Sequence, residues 1–245
     1  DVYKRQNLNK QVVQLFNKRK YSEALPLAQK VLEIREKILG PEHSDVGLGL
    51  YNLASQYGGL AQYAKAEQLY LRTLQIYEKA HGPDHPDVAQ SLNNLALVYN
   101  AQVQYAKAEP LFLRALKIWE KALGPDHLNV AISLNNLALV YQSQAQYAKA
   151  EPLYQRSIQI REKALGPDHL NVAIVLNNLA LVYQSQAQYA KAEPLFLRAL
   201  KIREKALGPD HPDVAVCLNN LAVVYESQAQ YAKAEPLCQR ALKIN

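Results

Sequence analysis

Methionine is absent from the 245 residues, and cysteine occurs only as Cys217 and Cys238. Two widely spaced cysteines do not form the disulfide framework of a secreted scaffold, so they favour a reducing compartment and a cytoplasmic protein. No apolar run approaches the roughly 18–20 uncharged residues of a membrane-spanning helix. The polar, charged stretch 1–20 is unlike a signal peptide. Because Met is missing, we expect the chain to be a fragment or a processed piece.

Charged residues of either sign are also few. Charged residues make up 20% of the chain, while apolar residues make up 49%, which is enough for a buried core. The net charge of +6 permits acidic partners without requiring them. Basic and acidic residues alternate, as in Arg161-Glu162-Lys163, whereas phosphate binding needs Lys and Arg clustered on one face. We therefore predict no nucleic-acid partner.

A repeat of 42 residues organises the chain. Residues 124–165 and 166–207 are identical at 36 of 42 positions. Such a period is the signature of a solenoid in which each unit buries its apolar stripe against its neighbours. The motif Gly-Pro-Asp-His begins at Gly82, Gly124, Gly166 and Gly208. We predict units of about 6–39, 40–81, 82–123, 124–165, 166–207 and 208–245, which form a single array over 6–245. Residues 1–5 match no unit and are expected to be a non-repeat remnant.

Each unit has the pattern of two helices. In the fourth unit Val130, Leu134, Leu137, Ala138 and Tyr141 form one apolar stripe with a period of 3.6 residues. A second stripe follows over 150–165, and the short polar segment 143–146 between them suits an antiparallel return. The sequence therefore predicts an all-α fold of about six antiparallel helix pairs.

The linker between units carries helix stop and start signals. Gly124 stands where a positive φ is expected, Pro125 cannot continue the helix, and Asp126 is predicted to be the N-cap of the next helix. Pro152 and its equivalents lie just past the first turn of the second helix, where we expect a slight bend and no break.

These residues resemble the tetratricopeptide repeat. In the third unit Leu95-Ala96, Tyr99, Ala108, Phe112 and Ala115 match that family's pattern at its offsets. The 42-residue length, with Asn-Asn-Leu-Ala, Ala-Glu-Pro-Leu and Gly-Pro-Asp-His, resembles the repeats of kinesin light chains and their bacterial relatives. The resemblance covers 20–245 well and 6–19 loosely. It implies a right-handed superhelical solenoid whose first helices line a concave peptide-binding groove, no catalysis, and often a larger parent protein.

The groove residues implied by this resemblance are pairs of asparagines on the first helices. An amide both donates to and accepts from a peptide backbone, so an Asn ladder can hold an extended chain, with aliphatic residues as shallow pockets. In peptide-binding members of the family an Asn at the place of the second of each pair contacts ligand. The alternative is that one Asn of each pair only fixes the angle between repeats. The predicted peptide-binding residues are Asn94, Asn136, Asn178, Asn220, Asn93, Asn135, Asn177, Asn219, Leu97, Leu139, Leu181, Gln142 and Gln184.

The chemistry of the groove departs from that of the kinesin light chains, whose grooves carry basic side chains. Neither 128–146 nor 170–188 contains a charged residue. A neutral or mixed peptide is therefore predicted in preference to an acidic one.

Other candidate sites have simpler interpretations. One His per repeat, as at His127 and His169, is too widely spaced for a zinc site, so capping or linker packing is expected. Cys217 and Cys238 have no neighbouring base to make a nucleophile and are predicted to be packing residues. We predict no catalytic residue, no metal and no cofactor.

The leading hypothesis is a protein-interaction module that captures an extended peptide, with no membrane role and no enzyme activity. Two alternatives remain. Near-identical units can stack end to end, which would make the chain a spacer or a self-assembling element. The array can also be the sensor of a larger signalling protein.

Overall fold

The computed structural model describes residues 2–18 and 20–244, with the side chains of 2–6, 9 and 16 outside that description. The described residues form twelve α-helices and no strand. The helices are α1 (Val2–Asn17), α2 (Tyr21–Leu39), α3 (Ser44–Gly59), α4 (Tyr63–His81), α5 (Pro86–Ala101), α6 (Tyr105–Leu123), α7 (Leu128–Ser143), α8 (Tyr147–Leu165), α9 (Leu170–Ser185), α10 (Tyr189–Leu207), α11 (Pro212–Ser227) and α12 (Tyr231–Ile244).

Successive helices pair into six hairpins, from hairpin 1 (α1 and α2) to hairpin 6 (α11 and α12), as the 42-residue period predicts. The chain divides into two compact units, Asp1–Pro125 and Asp126–Asn245. Of the predicted remnant 1–5, Asp1 lies outside the described residues and 2–5 belong to α1.

Helices α7, α9 and α11 each begin at a histidine cap. The Nδ1 atom of His169 accepts a hydrogen bond of 3.1 Å from the backbone N–H of Asn171. The Nδ1 atoms of His127 and His211 accept in the same way from the backbone N–H groups of Asn129 and Asp213. This bond satisfies one of the backbone donors that a helix N-terminus leaves open. The prediction that Asp126 caps α7 is therefore wrong, because the cap is the following residue, His127.

Asp126 has a different contact. Its carboxylate pairs with Lys163 near the end of α8, and Asp168 pairs with Lys205 at 2.7 Å in the same way. The ammonium groups hold the pKa of both carboxyls below its ordinary value. These pairs are exposed, and pairs of that kind add little stability.

The glycine after each second helix from α2 to α10 has a backbone conformation that other residues avoid. Gly124 has φ 91° and ψ 156°, a region essentially restricted to glycine. A Cβ at this position would meet no atom within 4 Å, so the dihedral angle and not lack of space requires glycine. The prediction of a positive φ at this helix end is confirmed.

The buried core combines small residues with large aromatic rings. Phe112 and Trp119 are fully buried in α6, and Tyr154 takes the place of Phe112 in α8. α8 runs through Pro152 without interruption. Cys217 is buried as predicted, whereas Cys238 is only partly buried.

Candidate functional site

The Asn pairs of the second unit lie on its first helices, α7, α9 and α11. The surface that carries Asn93, Asn94 and Leu97 in α5, and their equivalents every 42 residues, is called the groove face below. On this face Asn178 donates from Nδ2 to Oδ1 of Asn135 at 3.2 Å. Asn220 donates to Asn177 at 2.9 Å in the same way. Asn178 and Asn220, the second residues of their pairs, are therefore each bonded to the first Asn of the preceding hairpin.

The two asparagines of a pair differ in exposure. Asn135 and Asn177 are buried, each 8% exposed, whereas Asn136, Asn178 and Asn220 are partly exposed. An amide has two donor hydrogens and an acceptor oxygen, so one hydrogen bond leaves capacity for others. The first Asn, apart from the exposed Asn219, is placed mainly to link hairpins. Asn178 and Asn220 both link hairpins and remain partly exposed.

The neighbouring groove-face residues are aliphatic or amide side chains. Leu139 and Leu181 are partly exposed, and Ile174 is exposed. Gln142 accepts a hydrogen bond of 2.7 Å from the hydroxyl of Tyr154. In the next hairpin the residue equivalent to Tyr154 is Phe196, which has no hydroxyl. The groove face of α7 and α9 is thus an uncharged surface with alternating amide and apolar groups, whereas α11 carries the exposed Glu226 at the position of Gln142 and Gln184.

The first unit makes the same link with a tyrosine. Asn94 donates from Nδ2 to the hydroxyl of Tyr51 at 2.6 Å. Tyr51 stands 42 residues before Asn93 and so occupies the first Asn position of hairpin 2. Asn93 is 2% exposed and donates to Oδ1 of Asn94 at 3.3 Å.

Beside this link lies a cavity of about 460 Å³ within the first unit. Its apolar wall consists of Val12 and Val13 of α1 and of Leu97, Val98 and Ala101 of α5. The volume lies within the range of pockets that bind small molecules or parts of larger ligands. None of its lining residues is charged.

The polar side of the cavity is built from α3, α4 and α5. The hydroxyls of Tyr70 and Ser55 are 2.8 Å apart, and the rings of Tyr70 and Tyr51 pack edge to face at 5.7 Å between centroids. Burial raises the pKa of Tyr51 and of Tyr70, so both remain neutral hydroxyls. Asn94 completes this side. We refer below to this cavity, with Tyr51, Ser55, Gln56, Tyr70 and Asn94, as the hairpin-2 pocket.

Gln56 is the polar group of the pocket whose bonding is incomplete. Its side chain is fully buried, and neither Nε2 nor Oε1 has a hydrogen-bond partner among the described residues. Buried amides are normally hydrogen-bonded, since a buried group without a partner costs free energy.

The described part of the chain contains no group of three or more His, Cys, Asp or Glu side chains that could hold a metal ion. His85 and its equivalents are occupied as helix caps, which matches the role predicted for the periodic histidines. Among the described helices, none is both long and apolar enough to cross a membrane.

The structure brings the predicted residues together in two places. Asn94 and Leu97 line the hairpin-2 pocket. The remaining predicted residues of the second unit share its groove face. Tyr51, Ser55 and Gln56 were not predicted, although the sequence contains a signal for them. Later repeats have Asn at the position of Tyr51, Leu or Val at the position of Ser55, and Val at the position of Gln56.

The repeats match known family profiles. Profiles described as tetratricopeptide repeat match residues 45–112, 89–163, 131–205 and 172–245, and a further one matches 15–45. The chain belongs to the tetratricopeptide repeat family. Comparison with curated protein sequences gave no match.

Several solved structures share the fold. BtubC (BKLC) from P. vanneervenii is 25% identical with a TM-score of 0.76, over 97% of this chain and 90% of that one. A putative kinesin light chain from Podosopora anserina, with nearly identical TPR-like repeats, is 27% identical with a TM-score of 0.72, over 83% and 96%. A Rap protein complexed with Competence and Sporulation Factor is 16% identical with a TM-score of 0.70, over 98% and 74%, which concerns the fold alone.

Tetratricopeptide repeats are protein–protein interaction modules, and the chain is a module of this class with protein or peptide partners. The repeat is in general a non-enzymatic scaffold. The fold and the kinesin-light-chain-like character of the repeats are as predicted from the sequence.

Proposed function

We propose that the chain captures an extended peptide segment along its groove face, with the partly exposed Asn136, Asn178 and Asn220 bonding the peptide backbone. The observation that carries this proposal is the exposure of the second Asn of each pair next to aliphatic residues. The amides of Asn178 and Asn220 have more donors and lone pairs than their one bond to the preceding hairpin uses. An extended chain has one donor and one acceptor per residue, which these amides can satisfy without reading its sequence.

The uncharged groove face of α7 and α9 supports a neutral or mixed peptide as the ligand. A charged side chain buried there would lose hydration without gaining a counterion. The Rap protein complexed with Competence and Sporulation Factor has the same fold, but at 16% identity that likeness does not carry a ligand over to this chain.

The free thiols of Cys217 and Cys238 support a reducing, cytoplasmic setting. The single array over 6–245, the remnant 1–5, the absence of a nucleic-acid partner and end-to-end self-association all stay predictions.

The proposal is tested by selecting nine-residue, terminally blocked peptides from a random library against the chain. The selected peptides are then measured on the Asn136→Ala/Asn178→Ala variant by fluorescence anisotropy. Loss of two or more amide hydrogen bonds should weaken binding about tenfold or more. The matched control, Gln159→Ala/Lys201→Ala, alters exposed residues of α8 and α10 and should bind as the unaltered chain does.

Two outcomes contradict this proposal. One is that no peptide binds more tightly than about 10⁻⁴ M, the range of weak contacts. The other is that the double Asn variant, still folded by circular dichroism, binds equally well. In either case light scattering over a range of concentrations tests the spacer alternative, which requires a concentration-dependent mass.

A further inference from the structure

We propose that the groove face of the second unit selects a peptide with a Lys or Arg side chain where the peptide crosses α11, and that Glu226 supplies the counterion. This inference rests on the proposed function, because it assigns one side chain of the peptide held along the groove face. Every residue of the chain that it uses lies in the second unit.

The groove face of the second unit is continuous from α7 to α11. Asn178 of α9 donates to Asn135 of α7 at 3.2 Å, and Asn220 of α11 donates to Asn177 of α9 at 2.9 Å. Helices in contact lie about 8–10 Å apart, so an extended chain advances by about three residues from one first helix to the next. A nine-residue peptide, about 30 Å long when extended, can therefore cross all three helices.

Glu226 is the one charged residue at the groove-face positions of these three helices. The positions are 132, 135, 136, 139 and 142 in α7, with their equivalents 42 and 84 residues later in α9 and α11. The residues equivalent to Glu226 are Gln142 and Gln184, which have the same length and no charge. Glu226 is also exposed. A peptide that lies against uncharged groups on α7 and α9 thus meets a full negative charge at α11.

Glu226 lacks the strong partner that its equivalent has in α7. There the hydroxyl of Tyr154 donates to Gln142 at 2.7 Å. The residue equivalent to Tyr154 in α12 is Cys238, whose thiol lies 3.9 Å from Oε1 of Glu226 and is only a weak donor. Within the described part of the chain, no Lys, Arg or His side chain forms an ion pair with Glu226. Its carboxylate is therefore available to a cation of the peptide.

The kind of group that Glu226 takes follows from charge and reach. Glu226 lies six residues after Asn220 in α11, which is about 9 Å along the helix axis. A peptide backbone bonded to Asn220 therefore does not reach the carboxylate, whereas the long side chain of a Lys or Arg at that point of the peptide can extend toward it. An ammonium or guanidinium group complements the carboxylate in charge and in hydrogen-bond donors, and an acidic side chain is repelled. Because Glu226 is exposed, the gain from this pair is modest.

The experiment starts from those selected peptides whose binding is weakened by Asn220→Ala, because these peptides cross α11. The tightest of them is resynthesised with Lys, Gln or Glu at each position in turn and measured by fluorescence anisotropy. At one position we expect Lys to bind about two- to fivefold more tightly than Gln at low ionic strength, and Glu to bind more weakly than Gln. The preference should disappear in about 1 M salt, where the Debye length is about 3 Å.

Three variants test whether Glu226 is the source of this preference. Glu226→Gln, which introduces the residue of α7 and α9, should abolish it. The double variant Gln184→Glu/Glu226→Gln keeps the net charge and moves the acid to the equivalent position of α9. The preferred position of Lys should then move by about three residues along the peptide. The matched control Glu235→Gln removes an exposed acid of α12 outside the groove face and should leave the preference unchanged.

The outcomes separate this inference from the proposed function. If peptides bind and depend on Asn178, but none depends on Asn220 or none shows a position that prefers Lys, the cation assignment is wrong and groove binding stands. The same holds if the preference survives Glu226→Gln or stays at the same peptide position in the double variant. If no peptide binds the unaltered chain, both are wrong.

Discussion

At the scale of single residues, the link between neighbouring hairpins is made by two different chemistries. In the second unit an Asn amide bonds the carbonyl oxygen of another Asn 43 residues earlier, as Asn220 does with Asn177. In the first unit Asn94 bonds the hydroxyl of Tyr51 across the same separation. The Tyr ring adds an aromatic wall that an Asn could not provide, and the cavity lies against that wall. The substitution therefore keeps the link and changes the surface next to it.

The buried amide of Gln56 also leads to a prediction about the free energy of unfolding in the absence of ligand. Replacing it with Val removes a buried amide that has no partner among the described residues, and it introduces the side chain that packs at this position in other hairpins. Removing such a group should stabilise the chain by about 1–3 kcal/mol. Urea unfolding of Gln56→Val, monitored by circular dichroism, checks this.

The reverse change serves as the control. Val182→Gln places an amide at the equivalent, fully buried position of hairpin 5 and should destabilise the chain by a similar amount. If Gln56→Val instead lowers the stability, the amide of Gln56 has a hydrogen-bond partner in solution.

At the scale of helices, the first helices from α3 to α11 each begin after a histidine N-cap, a position more often taken by Ser, Thr, Asp or Asn. The motif Gly-Pro-Asp-His divides the tasks among its residues. Gly166 turns the chain, Asp168 reaches Lys205, and His169 caps α9. The sequence pattern located the helix start to within one residue but assigned the cap to the Asp, since Asp is the better-known cap.

We predict that His169→Ala destabilises the chain by about 0.5–2 kcal/mol, the usual cost of losing an N-cap side chain. His169→Asn should recover most of this loss, because an Asn oxygen can accept from the same Asn171 N–H. Urea unfolding of the two variants measures both values. Equal destabilisation by Ala and Asn would show that His169 acts through packing and not through its Nδ1 atom.

At the scale of the whole chain, periodicity explains how much could be predicted. Every helix pair followed from apolar spacing and from the recurrence of Gly124 and its equivalents, because those features repeat five or six times. The burial of Asn135 and Asn177 did not follow, since a helix pattern does not tell which of two adjacent amides faces the neighbouring hairpin. The pocket did not follow either. Gln56 interrupts the repeat at one place, and an isolated departure acquires meaning only when the cavity beside it is known.

The repeat architecture also predicts how far along the chain the effect of a destabilising substitution extends. Within each unit the helices pack against their neighbours along the chain, with α9 against α8, α10 and α7. In such arrays stability is approximately a sum of repeat terms and nearest-neighbour terms, so a local loss need not open distant repeats. Leu176→Ala removes a nearly fully buried side chain from α9 and should cost about 2–5 kcal/mol.

Hydrogen exchange measured by mass spectrometry resolves where that loss appears. We expect faster exchange in peptides from α8 to α11 and unchanged exchange in peptides from α2 to α4 of the other unit, because local opening does not require the whole chain to unfold. Leu50→Ala, at a fully buried position of α3, is the matched control and should give the opposite distribution. Equal acceleration in both regions by either variant would mean that the two units unfold in one cooperative step, and nearest-neighbour coupling would not describe this chain.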